Sequence, residues 1–141
     1  MNAVDTNVLL YVHDPRDPIK QAVAHQLVTS LTNAALIWQV ACEYISASRK
    51  LAPLGFRQED AWNELSRLQT LWSAVFPHWD HLHRAEALMA SRSISFWDAL
   101  IIAVCVESGI STLYSEDLAG LGSFPDLHVI NPFATRDIAK T

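Results

Sequence analysis

The chain predicts an α/β layer fold with a parallel sheet, on three observations. Short apolar runs of strand length alternate with segments whose apolar residues recur at helical spacing. Breakers such as Asp14-Pro15, Pro53-Leu54-Gly55 and Gly109 fall between these segments. Acidic residues stand just past two of the apolar runs, where layered sheets hold their ligands. Strand–helix alternation of this kind builds a parallel sheet between layers of helices. With 141 residues, half of them apolar, the chain is expected to form one domain over residues 1–141. A domain of that size buries about two-thirds of its unfolded surface, and disorder is excluded.

Asn2-Ala3-Val4 reads as a very short first strand ending at Asp5. From Thr6 the spacing turns helical (Val8, Leu9, Val12) until Asp14-Pro15 breaks it. A second helix follows Pro18, with Ala22, Val23, Leu27 and Leu31 on one side. Leu36-Ile37-Trp38 is a second, buried strand, and a helix from Gln39 to Leu51 follows it. Gln58 to Leu71 is amphipathic, with Ala61, Trp62, Leu65 and Leu68 on one stripe. Ala74-Val75-Phe76-Pro77 is a third strand. Asp80 has the place of an N-cap for a helix through Leu82, Ala85, Leu88 and Met89. Ser95 to Asp98 reads as a capping box opening an almost wholly apolar helix, Ala99 to Val106, closed by Gly109. So uniform an apolar surface predicts packing on both sides. Ser111 to Tyr114 is the fourth strand and His128-Val129-Ile130 the fifth.

No apolar run approaches the roughly 20 residues of a membrane helix. The run Val8 to Val12 is short and lacks a signal peptide's positive flank, so the cytoplasm is the expected location. Cys42 and Cys105 both sit in apolar helical patterns and are expected as buried, reduced thiols. A net charge of −5 argues against a broad nonspecific nucleic-acid clamp, so any RNA-binding surface would be a local basic patch.

Four acids spread along the chain carry the functional reading: Asp5, Glu43, Asp98 and Asp117. Asp5 and Asp117 follow strand ends, Asp98 opens a helix and Glu43 lies one turn into another, so one rim of the sheet can hold all four. Carboxylates gathered in this way repel unless a divalent cation or a shared proton offsets them. Hard cations such as Mg²⁺ take oxygen ligands, and their main use with such ligands is phosphate chemistry. Each acid has a plainer explanation. Asp5 can be an N-cap, Glu43 a rim glutamate bordering the buried stripe of Val40 and Ala47, and Asp98 the end of a capping box at a helix dipole. Either Glu116 or Asp117 can be a turn residue, and composition does not say which points inward.

Together the four segments resemble a known family. Val4-Asp5-Thr6-Asn7-Val8-Leu9-Leu10-Tyr11 is similar to the opening of PIN-domain ribonucleases, particularly the VapC toxins of bacterial toxin–antitoxin systems. Gln39-Val40 with Glu43 resembles the second motif, Phe96-Trp97-Asp98-Ala99-Leu100-Ile101 the third, and Leu113-Tyr114-Ser115-Glu116-Asp117-Leu118 the fourth. The resemblance implies a PIN-like three-layer fold, a central five-stranded parallel sheet flanked by helices. It implies an endoribonuclease using Mg²⁺ or Mn²⁺, with Asp5, Glu43, Asp98 and Asp117 as metal-site and catalytic residues and 5′-phosphate and 3′-hydroxyl products. Thr6 and Asn7 would shape the loop, with Thr6 or Ser115 as a polar helper and Glu116 as the second choice for the fourth acid. A homodimer and a small antitoxin protein are the implied partners besides RNA.

For RNA contact the candidates are Arg16, Lys20, Arg49, Lys50 and Arg92, each near a predicted loop or helix end, and Trp97 for base stacking. Trp62 and Trp72 fall on helical stripes and are expected in core or dimer packing. His78, His81 and His83 lack the spacing and the fourth ligand of a zinc site. A phosphoacceptor domain also uses an Asp after strand one, but Asn7 stands where its second Asp belongs, and Lys20, Lys50 and Lys140 do not supply its strand-end lysine. The rival of a different class is a non-catalytic PIN-like module that binds RNA or a protein without cutting.

Overall fold

A computed structural model describes residues 1–134; the remainder of the expected 1–141 domain, Lys140 included, lies outside the described residues. The elements run β1 (Asn2–Val4), α1 (Thr6–Tyr11), α2 (Pro18–Ser30), β2 (Ala34–Ile37), α3 (Trp38–Ser48), α4 (Gln58–Leu71), β3 (Ser73–Val75), α5 (Trp79–Ser91), α6 (Phe96–Glu107), β4 (Thr112–Tyr114) and β5 (His128–Ile130). Short 3-10 segments occupy Arg49–Leu54 and Leu118–Leu121.

Among the described residues the five strands are all parallel, in the order β3-β2-β1-β4-β5, as the α/β reading expects. The chain steps outward from β1 to β2 to β3, then crosses back to β4 beside β1. Right-handed crossovers put helices on opposite faces when the direction of travel reverses. Accordingly α1 packs on α2 and α3, and α3 on α4, while α5 and α6 pair with each other. The order reverses between β1 and β4, and there the carboxyl ends of two adjacent strands open a crevice.

The core explains the element types. β2 is buried along its whole length, Ala34 to Ile37, as a central parallel strand requires. α6 buries Ile102 and Cys105 in the main core. Its Ala99 and Ala103 face Ala85 of α5 in a second small cluster, so the helix is packed on both sides.

Several local expectations are corrected. β2 ends at Ile37, so Trp38 opens α3 and is half exposed instead of lying in a strand. α3 stops at Ser48 and tightens into a 3-10 segment that contains Pro53, which cannot donate an α-helical bond. The N-cap of α5 is His78, whose Nδ1 accepts from the Asp80 amide, while His81 Nδ1 accepts from the His78 amide. Asp80 sits inside the first turn. Cys42 is exposed on α3, because the buried stripe there runs through Val40, Tyr44 and Ser48. Trp62 is also largely exposed, whereas Trp72 is buried.

Candidate active site

The site is assembled where β1 and β4 end. Val4 pairs with Tyr114 in parallel register, so the next residues, Asp5 and Ser115, leave the sheet side by side. Asp5 caps α1, Oδ1 accepting from the Thr6 amide at 2.8 Å. Oδ2 accepts from Ser115 Oγ at 2.8 Å, and that hydroxyl in turn accepts from the Leu118 amide at 3.1 Å. Both Asp5 and Ser115 are buried.

Glu43 arrives from α3. Its Oε2 accepts from Thr6 Oγ1 at 2.9 Å and its Oε1 from Gln39 Nε2 at 2.7 Å. Gln39 lies four residues earlier on the same helix face, the spacing at which side chains meet. Asn7 joins the two strand ends: Nδ2 donates to Asp117 Oδ2 at 3.2 Å and lies 3.5 Å from Asp5 Oδ2, and Oδ1 accepts from the Glu116 amide at 3.3 Å. Asp98 enters from the first turn of α6. The Ser95 hydroxyl accepts from the Asp98 amide at 3.2 Å, but the return bond that would complete a capping box is not formed. The Asp98 carboxylate makes no hydrogen bond among the described residues.

All four acids line one cleft of about 250 Å³, together with Thr6, Asn7, Gln39 and Trp97. Burial pushes the Asp5 carboxyl above its usual range; hydrogen bonds from Ser115 and Thr6 oppose that, and the nearby negative charges of Glu43 and Asp117 add to it. An anion at Asp5 is therefore short of compensating charge. Among the described residues no three His, Cys, Asp or Glu side chains close on one point tightly enough to hold an ion as they stand. Hydroxyl and amide donors occupy the carboxylate oxygens instead, namely Ser115, Thr6, Gln39 and Asn7. The donor set is nevertheless all hard oxygen in one cleft, which suits Mg²⁺ or Mn²⁺ and not a soft metal.

Glu116 does not line this cleft. Its carboxylate turns toward α1 and α2, accepting from Tyr11 Oη at 2.9 Å and pairing with Lys20 Nζ. The candidate RNA contacts separate in the same way. Lys20 is engaged by Glu116, and Arg92 stacks on Phe124 and donates to the Ser123 carbonyl. Arg16 forms a two-point pair with Asp14, yet lines a neighbouring cleft of about 260 Å³ with Lys50, Asn7 and Asp117. Arg49 is exposed. Trp97 is 62% exposed beside Asp98. Gln39 is a site residue without a role of its own among the sequence expectations; its four-residue spacing to Glu43 is the signal that marks it. The Tyr11–Glu116–Lys20 contact joins residues 96 to 105 positions apart and had none.

A broad apolar groove of about 430 Å³ adjoins the acidic cleft, sharing Gln39 and Trp97 with it. Trp38, Phe76 and Trp79 stand exposed along it, and among the described residues no Asp, Glu, Lys or Arg lines it.

The PIN domain family matches residues 3–119, a stretch that takes in all four acids. No curated protein matches the chain. Among solved structures it is similar to Mycobacterium tuberculosis VapC20, a sarcin-ricin loop cleaving toxin, with a TM-score of 0.67 and 20% identity over 88% of this chain and 97% of that one. It is also similar to a chain of a toxin–antitoxin complex from Klebsiella pneumoniae, with a TM-score of 0.69 and 17% identity over 94% of this chain and 98% of that one. At such identities the shared property is the fold.

Proposed function

The chain belongs to the PIN-domain family, and from that premise we propose that it is an Mg²⁺- or Mn²⁺-dependent endoribonuclease that hydrolyses RNA phosphodiester bonds, acting as the toxin of a toxin–antitoxin pair. One observation carries the reading: carboxylates from four separate elements line a single cleft at the sheet's switch point. A cation held there by Asp5 and Asp98, with Glu43 and Asp117 as further ligands, would neutralise charge on the scissile phosphate and acidify a water.

The chain's own residues set up the remainder. Ser115 and the Thr6 amide fix the two oxygens of Asp5. Thr6 and Gln39 hold Glu43 from either side, so that a carboxylate of known orientation is available to accept the attacking water's proton. Asp98 brings to the rim a carboxylate with no hydrogen-bond partner among the described residues. The exposed indole of Trp97 is a stacking platform for a base next to the cut. Lys50 and Arg16, in the adjoining cleft, are placed to meet the RNA backbone, with Arg49 beside them in sequence.

The test is RNA cleavage by the pure, antitoxin-free protein loaded with Mg²⁺ or Mn²⁺. Asp5→Asn and Asp98→Asn should each lower the rate by about 100-fold or more, since even partners of metal ligands cost 10–100-fold when lost. Wild-type rates in either folded variant would sink the assignment. Absence of cleavage by the wild type on any RNA would favour the non-catalytic binding module.

A homodimer and an antitoxin are part of the proposal, as is action in the cytoplasm. Among the described residues no helix is long and apolar enough to cross a membrane. The likeness to a chain of a toxin–antitoxin complex supports an antitoxin. The uncharged aromatic groove supports self-association, because copies of a chain carrying −5 meet at least cost through a face without charge.

A further inference from the structure

We propose that Glu116 is a positioning residue: held away from the cleft by Tyr11 and Lys20, it fixes Asp117 on the cleft's rim and thereby sets the affinity of the site for its divalent cation. This rests on the metal-dependent reading above and adds a residue to it that binds no metal itself.

The segment 115–117 leaves β4 with three consecutive tethers. Ser115 is bonded to Asp5. The Glu116 amide donates to Asn7 Oδ1, while its carboxylate is taken up on the far side by Tyr11 Oη and Lys20 Nζ. Asp117 then faces the cleft with Oδ2 on Asn7 Nδ2. With Glu116 committed outward, its neighbour is the acid left to face inward.

The anchor is itself built in. Lys20 Nζ also lies 4.9 Å from the centre of the Tyr11 ring and 5.6 Å from that of Phe133, and these two rings meet edge to face at 4.9 Å. Lys20 and Glu116 are only 29% and 24% exposed, so this pair is less screened than a surface ion pair. Without Lys20, Glu116 is a second mobile carboxylate one residue from Asp117, competing for the same rim.

The test measures Mn²⁺ binding to the metal-free protein by calorimetry, alongside RNA cleavage as a function of Mn²⁺. Glu116→Gln and Lys20→Met should each weaken Mn²⁺ binding by about 10-fold, with the double variant no weaker than the worse single one, because both act through one contact. Cleavage at low Mn²⁺ should fall by a similar factor and recover at high Mn²⁺. Tyr11→Phe, which removes one oxygen from the network, should shift binding in the same direction and serves if the charge variants fold poorly. Unaltered Mn²⁺ affinity in folded variants would overturn the inference. Asp5→Asn separates the two levels: if it too binds Mn²⁺ like the wild type, the metal reading itself fails; if it alone loses Mn²⁺, only the role of Glu116 does.

Discussion

Asp5 is a structural cost that the proposed function would explain as a metal ligand. Its carboxyl is buried, and burial outweighs the bonds from Ser115 and Thr6, so its folded-state pKa lies above the usual 3.8. The metal-free protein is thus favoured by the neutral form at low pH, and that advantage is lost as pH rises through the raised value. Asp5→Asn keeps the shape without the charge. Metal-free Asp5→Asn should therefore resist urea better than the wild type at pH 7.5, with the gap closing toward pH 4. With Asp5 as a ligand, saturating Mg²⁺ should reverse the order, since an ion at 100 times its Kd stabilises the native state by about 2.7 kcal/mol and the variant would hold it less well. An unchanged ranking with Mg²⁺ would count against Asp5 as a ligand. Ser115→Ala takes away the hydroxyl bonded to Asp5 and leaves the Leu118 amide unpaired, at a cost of about 1–3 kcal/mol by denaturant titration.

Among the elements, α6 is the one on which packing and chemistry meet. It carries Asp98 in its first turn and Ala99 and Ala103 on the face against Ala85 of α5. These alanines allow the two helices to lie close, and a larger side chain must push them apart. Ala103→Leu should cost about 1–3 kcal/mol from overpacking, seen as a lowered Tm. The turn between α1 and α2 behaves differently. His13 stacks on Phe56 with ring centres 3.8 Å apart and planes 7° apart, and burial holds its imidazole below its usual 6.5. The unfolded chain takes up a proton below that value which the folded form resists. Stability is therefore present above pH 6.5 and drains away as pH falls through it. His13→Phe should flatten the loss between pH 7 and pH 5, leaving the part due to His81, which is shifted the same way by burial.

For the molecule as a whole, the aromatic groove is the surface feature that brings together the most exposed aromatic rings. Besides Trp97, three of its aromatics, Trp38, Phe76 and Trp79, are half exposed or more. Side chains of this kind bury roughly 150–250 Å² each, so together they offer several hundred Å² toward the roughly 800 Å² that a stable interface takes from each partner. Trp79→Glu, at the most exposed of them, should convert a dimer to a monomer in sedimentation analysis while leaving the fold intact. A wild type that sediments as a monomer at micromolar concentration would remove the homodimer from the proposal.

Much of this architecture was legible in the sequence because it rests on local rules. Alternating apolar runs and breakers predict the parallel α/β layers, and β5 and α4 lie where the pattern puts them, at His128–Ile130 and Gln58–Leu71. What failed was decided at element ends. Trp38 reads as strand by its neighbours, yet the chain turns into α3 there, and Cys42 reads as buried, yet rotation about α3 hands the core to Val40 and Tyr44. The four acids could be named from their places after strands and at helix starts. Which of Glu116 and Asp117 faces the cleft could not, because the answer lies with Tyr11 and Lys20, residues that only the folded chain brings beside them. Local pattern determines which elements form and which ends they offer; side-chain direction at those ends is fixed by partners distant in sequence, and so by tertiary structure alone.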